Sequence, residues 1–195
     1  MTMHLLKFVL LLLLASLLSS CNKPPEWHAT DITGSMPDLE FKLVGPRGTN
    51  VDAHSLRGKP VLLSFGFSNC PHICPTTMTQ LSVVMKKLGK RADDVQVLLV
   101  TVDPQRDTPE VLEKFTTAFG PWFTGLTGSE EALERLRKSY GVYAAMESSV
   151  DQGTYNVMHS TAVFVFDRQG RIRLLMSNIT NSDAMAEDIR TLLSL

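Results

Sequence analysis

Val61-Leu62-Leu63-Ser64-Phe65-Gly66-Phe67-Ser68-Asn69-Cys70-Pro71-His72-Ile73-Cys74-Pro75 runs from an apolar stretch, through two thiols, into an amphipathic segment. Val61 to Phe65 is short, bounded by Gly58-Lys59-Pro60, and apolar enough for a central buried strand. Beyond the thiols, Met78, Leu81, Met85 and Leu88 recur at spacings of three and four, the stripe of a helix packed on a sheet. Pro75 suits the first turn of that helix, where a missing N–H costs nothing. If residues 70 to 74 lie at the helix N-terminus, their i, i+4 spacing puts both sulfurs on one side, and the helix dipole favours the thiolate forms.

Working outward toward the C-terminus, Val95 to Val102 reads as the next strand. Thr108-Pro109-Glu110 reads as an N-cap, a proline at the first helical position and an acidic first turn, with Val111, Phe115 and Ala118 facing inward. Phe123 to Leu126 is a short strand before a helix capped by Ser129, carrying Leu133, Leu136 and Tyr140 and ended by Gly141. Residues 146 to 157 are polar and loop-like. Thr161 to Phe166, the turn Asp167-Arg168-Gln169-Gly170 and Arg171 to Met176 form a β-hairpin, and a last helix from Asp183 to Leu193 carries Met185, Ile189 and Leu192.

Toward the N-terminus, Leu39, Phe41 and Leu43 alternate with polar residues and Gly45-Pro46-Arg47-Gly48 turns the chain toward Val51, an N-terminal β-hairpin. Residues 22 to 30, with Pro24 and Pro25 adjacent, read as a tether. Lys7 and the apolar run Phe8 to Leu18 have the plan of a secretory signal and are short for a membrane span. Leu18-Ser19-Ser20-Cys21 resembles a bacterial lipobox, which implies cleavage before Cys21 and lipid on its thiol. The expected organisation is a signal peptide at 1–20, a lipidated tether at 21–30 and one domain at 31–195, in the bacterial cell envelope, lipid-anchored to a membrane and facing the periplasm or another extracytoplasmic space.

Strand, helix, strand, helix, then a hairpin and a closing helix give an α/β sandwich: a central mixed β-sheet flanked by helices, on the thioredoxin plan. The 195 residues suffice for one well-cored domain, since domains commonly hold roughly 100 to 200. A net charge of −1 offers no electrostatic case for nucleic acid. Lys86, Lys87, Lys90 and Arg91 form the one dense basic run and read as a solvated helix end. With Cys21 assigned to lipid, Cys70 and Cys74 are the remaining cysteines. A disulfide closing so short a loop would constrain little of the unfolded chain, so the pair reads as chemical rather than structural.

Phe65-Gly66-Phe67, Cys70-Pro71, Cys74-Pro75, the segment Val102-Asp103-Pro104-Gln105-Arg106-Asp107-Thr108-Pro109 and His159-Ser160 together resemble the Sco/SenC family of thioredoxin-like copper proteins. The resemblance runs from about Trp27 to the hairpin. It implies copper, cuprous or cupric, held by Cys70, Cys74 and His159 and delivered to the dinuclear centre of cytochrome c oxidase. The implied partners are the copper-binding subunit of that oxidase or another cuproprotein, with a copper donor or a thiol reductant protein upstream. His72 and Met158 stand where members often carry aspartate, which bears on partner choice and redox tuning. Thiolate suits cuprous ion and imidazole suits both oxidation states, so such a ligand set can hold either. His159 precedes a strand whose leading loop, in a thioredoxin-like fold, meets the N-terminal end of the first helix.

Other residues carry weaker readings. His72 is a solvent-facing loop residue, His28 and His54 lie at the surface, and most methionines pack in the core. Asp103 and Asp107 serve the turn and helix cap, or else support the site or a docking partner. The rival function is a membrane-anchored thiol-disulfide reductase acting on the cysteines of a copper acceptor protein, in which Cys70 and Cys74 are catalytic, Cys70 attacking and Cys74 resolving. Structural zinc is a third reading, but two cysteines and one histidine supply three of the usual four ligands.

Overall fold

The computed structural model describes the backbone of residues 25–148, 155–159 and 162–195, and the side chains of residues 25–144 and 162–195. The proposed signal segment and Cys21 lie outside the described residues. Val61–Gly66 forms β4, buried at every position. Its left neighbour is Val163–Phe166 (β9), antiparallel, and its right neighbour Gln96–Thr101 (β5), parallel. Phe123–Leu126 (β6) adds a further parallel strand beyond β5, while Ile172–Met176 (β10) and Thr30–Asp31 (β1) extend the other side. The six-stranded order is β1-β10-β9-β4-β5-β6. It is the mixed sheet of a thioredoxin-like sandwich, as the alternation of strands and helices implied.

The continuous apolar run in β4 conceals a period of two. Val61, Leu63 and Phe65 belong to one core cluster, with Leu98 and Val100 of β5. Leu62 belongs to the other, with Val97 and Leu99. A strand covered on both faces needs apolar residues at every position, which is why the alternation is invisible in hydropathy alone.

Each face has its own cover. On one lie Ile73–Leu88 (α1), which contributes Met78, Leu81 and Met85, and Ser182–Ser194 (α4), which contributes Met185, Ile189 and Leu192. Pro109–Thr117 (α2) joins them through Leu112. Its inward residues are Leu112 and Thr116, with Phe115 partly buried; Val111 and Ala118 are exposed, which corrects the expected face by one position. The other face is covered by Leu133 and Leu136 of Glu130–Ser139 (α3) and by the small hairpin of Lys42–Val44 (β2) with Asn50–Asp52 (β3). The hairpin is tied to the chain after β6 by Val44 N–H to Thr127 C=O at 2.7 Å and the reciprocal bond at 2.8 Å.

Helix ends follow the sequence signals. Thr108 and Ser129 accept from the backbone N–H of Val111 and Ala132, and Gly141, at φ 63°, lies beyond the end of α3.

Two differences concern the chain's connections. The stretch read as a polar loop, residues 146 to 157, overlaps Ala144–Ser148 (β7) and Tyr155–His159 (β8), an antiparallel ribbon outside the main sheet. Its apolar residues do not alternate regularly with polar ones along either strand, so periodicity does not mark it. The stretch read as a tether is packed from Trp27: Trp27 and Ala29 lie against the core, and Arg173 stands 5.9 Å from the Trp27 ring centre. Buried Asp188 of α4 accepts the N–H groups of His28 and Ala29, each at 2.9 Å. Asp188→Ala leaves both donors without that acceptor and is expected to cost about 1–3 kcal/mol by chemical denaturation. Hydrogen exchange should quicken first at His28 and Ala29.

Candidate metal site

Gly66 closes β4, and the chain turns through Phe67, Ser68 and Asn69 to Cys70, whose N–H donates to Phe67 C=O at 3.3 Å. Helix α1 then begins at Ile73, between the two cysteines, so Cys74 sits in its first turn and Cys70 just ahead of it. The Cys74 N–H, one of the donors a helix start leaves unused, points to Cys70 Sγ at 3.4 Å. The i, i+4 spacing thus brings the two residues together as expected, with Pro75 in the first turn of α1. No disulfide joins the two cysteines. They are 8% and 3% exposed, which limits attack by bulky reagents.

The room for Cys74 comes from Gly66. A Cβ at position 66 would lie 2.8 Å from Cys74 Sγ, closer than such a carbon approaches, and 3.0 Å from Leu99 Cδ1, a contact that needs the leucine to give way. Nothing local in the sequence marks this role of Gly66, because only the fold brings position 74 back over the strand end.

Burial decides the protonation of Cys74. Desolvation pushes its thiol well above the ordinary range, only partly opposed by a backbone hydrogen bond with Phe67, and neighbouring Cys70 and Asp107 add to the rise. The expected thiolate at the helix start is therefore overturned for Cys74: the dipole is outweighed by the cost of a charge in an apolar pocket.

The second loop at this end of the sheet is the turn after β5. Buried Asp107 accepts the Ser68 N–H at 3.1 Å, the Ser68 hydroxyl at 2.5 Å and the Thr101 hydroxyl at 2.6 Å. Thr101 Oγ1 in turn accepts the Asp103 N–H at 2.9 Å. Asp103, also buried, is ion-paired with Arg106, whose guanidinium carbon lies 5.7 Å from the Phe67 ring centre. Of the two readings open for these aspartates, turn and cap or support of the site, the contact with the cysteine loop favours the second; Ser68 as the partner is not legible from spacing, because the bond joins segments that are distant in the chain.

The third expected ligand, His159, closes β8 in register opposite Ala144. Ala144 packs against the core cluster that contains Cys70 and Cys74. The next strand, β9, starts at Val163 opposite Ser64, so the chain after His159 arrives at the same end of the sheet as the cysteine loop. The imidazole itself is outside the described side chains. Among the described side chains, no three His, Cys, Asp or Glu gather as a metal cluster.

The other histidines among the described residues lie apart from this site or face solvent. His72 is exposed at the N-cap of α1, while His28 and His54 are exposed beside Glu187 and Glu40, at 3.1 Å and 2.9 Å. Met78, Met85, Met176 and Met185 are core residues, as expected.

The family model described as SCO1/SenC matches residues 31–194. A SCO2-like protein of Rickettsia prowazekii is 36% identical over 132 residues, covering 67% of this chain and 64% of its own. The chain thus spans a little under two thirds of the length of that relative. The structure of Bradyrhizobium japonicum ScoI with copper bound matches with a TM-score of 0.73 and 33% identity, over 80% of this chain and 98% of that one. The solution structure of apo Sco1 from Thermus thermophilus matches with a TM-score of 0.76 and 36% identity, over 88% and 99%.

Gly66→Ala is expected to destabilise the fold by about 1–3 kcal/mol and to displace the Cys74 sulfur. Thermal melting reads the first effect, and the rate of Cys74 alkylation at fixed pH reads the second.

Proposed function

From its membership of the SCO1/SenC family, shown by the match over residues 31–194, we propose that this chain is a copper metallochaperone. It binds copper through Cys70, Cys74 and His159 and delivers it to the dinuclear copper centre of cytochrome c oxidase, or to a similar cuproprotein. The observation that carries this reading is the pair of free, buried sulfurs at the end of β4, brought together by the first turn of α1 and given room by Gly66. The copper-bound B. japonicum relative supports the choice of metal.

The chemistry follows from the donor set. Two thiolates favour the soft cuprous ion, and an imidazole tolerates either oxidation state. Three protein ligands leave a position through which an incoming thiolate or imidazole bonds to copper before a ligand of this chain lets go. The released sulfur takes back a proton, so the carrier returns to its dithiol form. We place the protein at the bacterial cell envelope, held by lipid on Cys21 with residues 22 to 26 as spacer, and facing outward from the cytoplasm. Among the described residues no helix is long and apolar enough to cross a membrane, and the anchor in this reading is the lipid. The reductase alternative asks Cys70 to attack bulky disulfides from a site 8% exposed, and its chemistry leaves His159 idle.

The test is an anaerobic titration of the reduced full chain in detergent with cuprous ion against a chromogenic chelator. One tightly bound copper is expected; Cys70→Ala or Cys74→Ala should abolish it and His159→Ala weaken it. Wild-type affinity in either cysteine variant removes the site assignment. Because the Cys74 thiol is raised, it keeps its proton through neutral pH, and copper must displace it. Apparent affinity should therefore climb as pH rises, by about tenfold per unit for each proton displaced. In cells, deletion should impair assembly of a copper oxidase most when copper is scarce.

A further inference from the structure

We propose that Asp107 is a positioning residue for the metal loop, holding Ser68 so that the Phe67–Ser68 segment sets where both sulfurs sit. The proposal rests on the reading of Cys70 and Cys74 as copper ligands. Asp107 is 0% exposed, and three donors converge on it: the N–H and hydroxyl of Ser68 and the hydroxyl of Thr101. An ionised carboxylate is acceptor-only at both oxygens, whereas an amide accepts at one and donates at the other. Oδ1 takes the Ser68 hydroxyl and Oδ2 takes the Thr101 hydroxyl, so both oxygens are needed as acceptors.

The anchored segment reaches both thiols. Phe67 C=O accepts the Cys70 N–H, and a backbone hydrogen bond joins Phe67 to the Cys74 thiol. On its other side the carboxylate is fixed to Thr101, the last residue of β5, which lies in register with Gly66. Arg106 applies a second hold on the neighbouring residue by lying over the Phe67 ring. Two successive residues of the β5 turn therefore grip two successive residues of the metal loop. A ligand loop held this way meets its metal with less ordering left to do, and loosening such supports lowers metal affinity about 10- to 100-fold.

The experiment uses the full chain in detergent, loaded with cuprous ion for affinity and with cupric ion for its sulfur-to-copper absorption band and electron paramagnetic resonance spectrum. Asp107→Asn is expected to weaken cuprous binding by about tenfold or more and to shift the cupric band. Ser68→Ala should move both readouts the same way by less, Ser68→Thr should keep them at wild type, and the double variant Ser68→Ala/Asp107→Asn should match Asp107→Asn alone. A folded Asp107→Asn protein with wild-type affinity and spectrum overturns the proposal, as does a double variant in which the two effects simply add. If Asp107→Asn does not fold, the Ser68 variants decide: an unchanged spectrum in Ser68→Ala overturns it, and a shift restored by Ser68→Thr supports it. A wild-type chain that binds no copper through its cysteines instead overturns the copper reading beneath.

Discussion

The parallel pairing of β4 with β5 ends at Gly66 opposite Thr101, and Val102 N–H continues it by donating to Gly66 C=O at 2.9 Å. Parallel neighbours release their following loops at the same end of the sheet, and open α/β sheets collect their sites there. The cysteine loop leaves β4 at that end, and the Asp103–Asp107 turn leaves β5 beside it. On the other side, antiparallel β9 begins at that end, bringing the chain from His159 toward it. Three segments far apart in sequence are neighbours for one reason, the register of three central strands.

Burial at this end serves two opposed requirements. An apolar pocket keeps Cys74 in its thiol form, since ionising it there is costly. In the proposed reading, the same pocket bonds strongly once a soft cation supplies the compensating charge, because ligand and metal are then neutralised together. The two core clusters flank the whole sheet, so the fold has its hydrophobic stabilisation without a metal. That separates it from small zinc domains whose folding depends on the ion and suits a protein that must exist both loaded and empty.

What the sequence disclosed and what it withheld divide by range of interaction. The strand at Val61, the helix stripe of Met78, Leu81 and Met85, and the caps at Thr108 and Ser129 are local patterns, and they appear in the fold as read. The Cys70–Cys74 pair was legible because one helical turn joins its members. The role of Gly66 was not, since it depends on Cys74 folding back over β4. Nor was the junction between Ser68 and Asp107, which rests on strand pairing rather than on residue spacing. The β7–β8 ribbon escaped because its strands lack the apolar alternation of a core strand. The acidity of Cys74 was misjudged because the helix dipole can be inferred from position, while desolvation requires knowing what packs around the sulfur.

The ribbon gives His159, the third ligand in the proposed reading, a different mechanical setting from Cys70 and Cys74. Cys70 and Cys74 belong to the core cluster and to the junction of β4 with α1, whereas His159 ends a two-stranded unit that is not part of the six-stranded sheet. Two strands alone are marginally stable, so such a unit shifts at less cost than a core strand. In the proposed reading, a carrier must grip copper during transit yet yield one bond to a recipient. Placing two ligands in the packed core and the third on a separate ribbon lets one bond open without disturbing the sheet. The cysteines then retain copper while the recipient's ligand takes the position His159 leaves.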